Sequence, residues 1–156
     1  MLVAKFGGTS VGCAERISAV ADILEQTSDP ELVVVVSAMS GTTTALIDGA
    51  RAAAEGQEAR YYGVGAFLRA RHLETVDALL GGSAERADLA LLIEERLQGY
   101  ERLCRSIATL GELTMRGHDA VASIGEELSS RILAAYLRAR GRQARAVSAT
   151  TLLQTD

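Results

Sequence analysis

The chain has 156 residues, of which 48% are apolar, 23% charged and only 4% aromatic, with one proline and no tryptophan. That composition fits one domain at most, with apolar residues enough for a sizeable core, and excludes a disordered segment. The formal net charge of −4 argues against a nucleic-acid backbone as partner, and the scarcity of aromatic rings leaves single strands little to stack on. Leu2 to Phe6 is a short, mostly apolar run stopped by Gly7-Gly8 and predicts a first strand. Ile17, Val20, Ala21 and Leu24 follow at helical spacing, and Asp29-Pro30 marks the next turn. Val33 to Val36 is a continuous β-branched run, which predicts a parallel strand covered on both faces. After the small-residue loop "SAMSGTT", Ala45 to Ala54 has a helical pattern.

From about Glu58 to Leu110 the chain is predicted helical, with Gly81-Gly82-Ser83 dividing two helices. The second carries Leu89, Leu92, Ile93, Leu97, Tyr100, Leu103, Cys104, Ile107 and Leu110 on one face. A further helix is predicted from about Thr114 to Arg140, with a soft spot at "SIGEELSS" and Gly141 as C-cap. "QARAV" is predicted as a third strand, and "SATTLLQTD" begins another loop or helix. Strand–helix–strand–helix at the start predicts an open α/β sheet, whose ligands sit beyond the carboxyl ends of the strands.

Three stretches can carry chemistry. In "KFGGTS", Gly7 and Gly8 leave backbone N–H groups free to face phosphate oxygens, Lys5 adds a charge, and Thr9 or Ser10 a hydroxyl. The lysine precedes the glycines, so this is not a Walker A loop. A plain turn with Ser10 capping the following helix explains the same residues. "SAMSGTT", Ser37 to Thr43, repeats the design after the second strand, with a threonine N-cap as its structural explanation. In "SIGEELSS", Ser123 and Glu126 form an S-x-x-E capping box; the functional alternative turns Glu126 toward a substrate ammonium.

The remaining chemistry-bearing residues are read structurally. Cys13 and Cys104 lack CxxC spacing and lie far from His72 and His118, which argues against a metal site or a disulfide framework. Cys13 is expected as a small buried residue, and His118 and His72 in surface or capping roles. The arginines are expected on solvated helix faces. The start "MLVAKFGG" lacks a signal-peptide pattern, and no run reaches the roughly 18 apolar residues of a membrane span, so a cytoplasmic chain without a membrane partner is expected.

Taken together, "KFGGTSVG", "VVVVSAMSGTT" and "SIGEELSSRILAAYL", closing on "LLQTD", resemble the aspartate kinases of the amino-acid kinase superfamily in order and separation across the whole chain. The resemblance implies a three-layer α/β/α sandwich with a mostly parallel sheet. It implies transfer of the γ-phosphoryl of ATP, with Mg2+, to the side-chain carboxylate of L-aspartate. Lys5, Gly7 and Gly8, with Thr9 and Ser10, would hold the phosphoryl group, Lys5 as the catalytic charge. Thr43 would contact aspartate, Glu126 its α-ammonium, and Ser37 and Gly41 would line the loop between them. No role falls to Met39 or Ser40.

Members of that family are much longer than 156 residues. Residues 1–156 are therefore expected to be the amino-terminal, substrate-binding half of a kinase domain. A nucleotide-binding half and regulatory ACT domains would lie elsewhere, and the chain alone would be catalytically incomplete. Association with itself or with such a carboxyl-terminal half is expected. Another amino-acid or carboxylate kinase, and a non-catalytic oligomerising module, remain as alternatives.

Overall fold

The computed structural model describes residues 1–29 and 31–149; the turn expected at Pro30 and the end of the chain from 150 lie outside the described residues. Strand β1 (Leu2–Phe6) leads through helix α1 (Ala14–Glu25) to β2 (Leu32–Val36), followed by α2 (Thr42–Ala54), α3 (Glu58–Leu80), α4 (Glu85–Leu110) and α5 (Met115–Ala139). The two strands pair in parallel, Leu2 opposite Leu32 through to Phe6 opposite Val36. The crossover through α1 is what a parallel pair requires. The predicted α/β order is therefore observed, including the break between α3 and α4.

One face of the sheet is covered. Phe6, Leu32, Val34 and Val36 pack against the core, where α1 contributes Ile17, Val20, Ala21 and Leu24. On the other face Val3 is 58% exposed and Val33 and Val35 are 47% exposed each. The expectation that the valine run is covered on both faces is thus corrected: burial alternates along β2, because the described residues supply helices to one side only. They make two layers of the α/β/α sandwich.

Beside the sheet, α2, α3, α4 and α5 pack together around Leu46, Ala50, Leu68, Leu97, Tyr100 and Leu128, all at 0% exposure. Close approach is allowed by small residues. Gly49 of α2 faces the Tyr100 hydroxyl so closely that a methyl group there would overlap it. Burial pushes the neighbouring Cys104 thiol up to about 11, as expected of an inert core cysteine.

Helix α5 is one uninterrupted helix, so Ser123 and Glu126 do not form a capping box; Ser123 Oγ donates to Ala120 O at 3.0 Å. The real N-cap is Thr114, whose side chain accepts from Gly117 N at 3.1 Å. At the other end Gly141 has φ +85°, and Arg142 N donates back to Leu137 O at 2.9 Å, which closes the helix as expected. α5 is tied to α1 by Arg140, which reaches Asp22 and Glu25 at 2.7 Å each, and by the Ser18–Tyr136 hydroxyl pair at 3.1 Å.

The third strand expected at "QARAV" does not form. Residues 142–148 alternate between half-buried and exposed as a strand would, but pair with neither β1 nor β2. Side chains hold the segment instead: Arg142 donates to the carbonyls of Leu24 and Thr27, and Arg138 Nη1 donates to Ala144 O at 3.1 Å.

Two glycine substitutions test this packing. A methyl at Gly63 meets nothing, so Gly63→Ala is expected to stabilise α3 by up to about 1 kcal/mol through helix propensity. Gly49→Ala forces the buried Tyr100 aside and is expected to cost about 1–3 kcal/mol. Denaturant midpoints of the two variants should move in opposite directions.

Candidate functional site

The parallel register delivers the β1–α1 loop (7–13) and the β2–α2 loop (37–41) to the same end of the sheet. The first contact between them continues the ladder: Ser37 N donates to Phe6 O at 3.0 Å. The second is a side chain, Ser40 Oγ, donating to Gly8 O at 2.9 Å. Gly8 is a packing glycine, since a Cβ there would lie 2.8 Å from Ala38 O. Gly7 is different. A Cβ at Gly7 meets nothing within 4 Å and its φ is not positive, so neither packing nor backbone conformation among the described residues requires glycine there.

The loop residues differ from the capping roles expected of them. Helix α1 starts at Ala14 with Cys13 as N-cap and no side-chain cap bond. Ser10 is not the cap; its N–H closes a turn on Gly7 O at 2.9 Å. Cys13 is exposed rather than buried, because the N-cap position at the mouth of the loop turns outward. At α2 the N-cap is Gly41 at φ +76°, not a threonine. That left-handed conformation is one a side chain rarely adopts. It places Thr42 and Thr43 in the first turn, with Thr42 fully buried and Thr43 half-buried.

The third stretch arrives on α5. A Cβ at Gly125 would lie 2.7 Å from Ala38 Cβ and 3.1 Å from Thr42 Cγ2, so only glycine lets the helix sit this close to the β2–α2 loop. Ser129, one turn on, donates Oγ to Ser37 O at 2.7 Å. Between them Glu126 is exposed, and its carboxylate has no hydrogen bond or ion pair among the described residues. Lys5 and Thr9 are exposed too, and the Lys5 ammonium is likewise unpaired among the described residues. The structure therefore gathers Lys5, Gly7, Gly8, Thr9, Ser10, Ser37, Gly41 and Thr43 on two adjoining loops and their flanks. Glu126 stands on the helix that braces the second loop.

Two cavities lie elsewhere. One, of about 340 Å³, is lined by Arg96, Arg102, Leu103 and Ile124 between α4 and α5. The other, of about 320 Å³, is lined by Asp88, Leu92, Arg131 and Arg145. Neither touches the loops.

Sequence reasoning missed three residues here. Ser40 and Ser129 each bond a distant backbone carbonyl. Arg71 of α3 reaches both loops, donating to Ser40 O at 2.6 Å and Gly12 O at 3.0 Å; it is not a solvated arginine. Arg69 is not solvated either, binding Glu94 at 2.5 Å and Glu101 at 3.2 Å. His72, expected at the surface, is fully buried. Tyr61, Gly65, Leu68, His72 and Val76 are all buried on α3, and that spacing was the signal that could have placed it inside. His118 is half-buried, with Nδ1 3.3 Å from Asp119.

A model of the family described as "Amino acid kinase family" matches residues 1–155. The chain belongs to the amino acid kinase family. Among relatives of this amino acid kinase chain, Aspartokinase 3, chloroplastic, of Arabidopsis thaliana is 36% identical over 151 residues, covering 92% of this chain and 25% of its own length. The aspartokinase of Saccharomyces cerevisiae is 30% identical over 166 residues, 99% of this chain and 31% of the relative. Solved structures of E. coli aspartokinase III, one in complex with lysine and aspartate and one with aspartate and ADP, superpose with TM-scores of 0.76 and 0.75 at 27% and 26% identity. The former match covers 90% of this chain and 29% of that one. The chain thus spans about a quarter to a third of the length of these relatives.

The buried histidine gives a pH prediction. Nδ1 lies 2.7 Å from Leu68 O, an acceptor, so Nδ1 carries the proton, and buried Nε2 has no partner. Burial lowers the His72 pKa from 6.5. Below about pH 6.5 the unfolded chain takes up a proton that the folded chain resists, so stability is full above that pH and falls as pH drops, by at most about 1.4 kcal/mol per unit. Urea midpoints between pH 7 and 5 should decline in the native chain. In His72→Leu the decline should flatten.

Proposed function

We propose that this chain is the part of an aspartate kinase that holds L-aspartate and the transferring phosphoryl group of ATP. The observation carrying the reading is the open space over Gly7. A glycine with no structural need for its missing Cβ stands beside an unpaired Lys5, where backbone N–H groups and a full positive charge suit an anion. Lys5, Gly7 and Gly8, with Thr9 and Ser10, take the phosphoryl side. Ser37, Gly41 and Thr43 take the aspartate side, and Glu126 accepts from its α-ammonium. The aspartokinase names and ligands of the relatives support the choice of amino acid.

In the proposed reaction a side-chain carboxylate oxygen of aspartate forms a bond to the γ-phosphorus, and the bond from that phosphorus to the β,γ-bridging oxygen of ATP breaks. The electron pair leaves with ADP. Both reactants are anionic, so the protein's contribution is charge neutralisation and alignment rather than covalent chemistry. Lys5 offsets charge on the equatorial phosphoryl oxygens, and Glu126 fixes the far end of the amino acid. ATP would bring Mg2+ with it; among the described residues no group of three His, Cys, Asp or Glu side chains could hold a metal. No described helix is long and apolar enough to cross a membrane.

The bare valine face of the sheet favours a second, compatible reading in which the chain also associates through that surface. Its expected sign is a mass in solution that rises with concentration.

Titration calorimetry with L-aspartate and with inorganic phosphate checks the site. Glu126→Ala is expected to weaken aspartate binding about ten- to a hundredfold, the worth of one charge-assisted hydrogen bond, and Lys5→Ala to weaken phosphate binding on a similar scale. N-acetylaspartate, which has no ammonium, should bind the native chain no better than aspartate binds Glu126→Ala. Aspartate and phosphate binding that both survive both substitutions would sink the assignment. Aspartate-dependent ADP release, measured in a protein carrying this chain with the rest of the kinase domain, should be lost in Lys5→Ala.

A further inference from the structure

Arg71 is the side chain that touches both loops of the platform. Its Nη1 donates to Ser40 O at 2.6 Å and its Nη2 to Gly12 O at 3.0 Å, across 31 and 59 residues of sequence. Ser40 Oγ in turn donates to Gly8 O at 2.9 Å. The contacts form a closed circuit: Gly8 to Ser40, Ser40 to Arg71, Arg71 to Gly12, and back to Gly8 through the three loop residues Thr9, Ser10 and Val11. Arg69, two residues earlier on α3, binds carboxylates of α4. Arg71 meets no carboxylate among the described residues; its donors go to the backbone carbonyls of two loops.

We infer that Arg71 is a positioning residue that locks the phosphoryl loop and the aspartate loop into one unit, so that binding at either is felt at the other. This rests on the functional reading above for what the loops bind, but not for the lock itself. A guanidinium presents several N–H donors in a rigid planar fork, so one side chain spans two carbonyls at fixed separation. A lysine keeps the charge but offers one compact ammonium on a flexible stem and cannot hold that geometry. Phosphoryl transfer is sensitive to the distance between nucleophile and phosphorus. Two independently moving loops would spread that distance; a tie narrows it. Arg71 therefore acts through Gly12 and Ser40 rather than by touching substrate.

The test is amide hydrogen exchange on the chain itself, comparing the native protein with Arg71→Lys and Arg71→Met. In both variants exchange at 8–13 and at 38–42 is expected to rise together by about tenfold, the worth of one or two hydrogen bonds. Exchange in α4 should stay unchanged, which certifies the fold. No change, change in one loop only, or a native pattern in Arg71→Lys would overturn the lock. A ligand arm separates this inference from the functional reading. In the native chain inorganic phosphate should tighten aspartate binding severalfold, and in Arg71→Lys that gain should vanish while each ligand alone still binds. A native chain that binds neither ligand would end the functional reading, and the exchange result would still decide the lock. A gain that persists in Arg71→Lys would overturn the coupling.

Discussion

Phe6 and Val36 end their strands opposite each other, and the placement of the two loops depends on that register. A shift of one residue would turn Lys5 onto the core face and carry the loops out of reach of one another. With the register as it is, the ladder runs on through Ser37 N to Phe6 O, and two glycine-bearing loops lie side by side. Nothing in the first loop alone distinguishes an anion cradle from a tight turn. The neighbouring loop adds that Ser40 and Ala38 hold Gly8 while the space over Gly7 stays open.

The helices have a division of labour set by side-chain size. α2, α3 and α4 pack through ordinary large residues, Leu46, Leu68, Leu97 and Tyr100, with glycine where Tyr100 presses on α2 and where Glu101 presses on Gly65 of α3. α5 must approach a loop as well as its neighbouring helices, and does so through Gly125 and Ser129. That close approach sets Glu126 beside the loop while leaving its carboxylate in water. α3 adds Arg71 from the other flank. The platform is thus braced by two helices that follow it in sequence.

Periodicity made most of the fold legible. Ile17, Val20, Ala21 and Leu24 are the buried face of α1 as their spacing predicts, and Gly81-Gly82-Ser83 does separate two helices. Local patterns failed where a distant partner decides. Ser123 and Glu126 match a capping box letter for letter, yet they sit within a continuous helix whose cap is Thr114. "QARAV" has strand-like residues but no ladder partner among the described residues, and Arg142 is held by the carbonyls of Leu24 and Thr27. Of the site, the residues with a sequence motif were readable as candidates. Ser40, Arg71 and Ser129 were not, because a side chain bonding a backbone carbonyl 31 or more residues away leaves no spacing to find.

The bond from Ser129 to Ser37 spans 92 residues, and that separation has a consequence for how the molecule is made. β1, α1 and β2 complete a short-range unit early in synthesis, and α2 to α4 pack on neighbours in sequence. Ser37 waits for most of the chain to follow it before α5 can settle on its loop. Contacts of such separation form late, because the entropy of closing so long a loop is lost before the contact returns anything. The α5 brace is therefore a late addition to the two loops, and a ribosome-bound chain stopped short of α5 carries both loops with only one of their two braces.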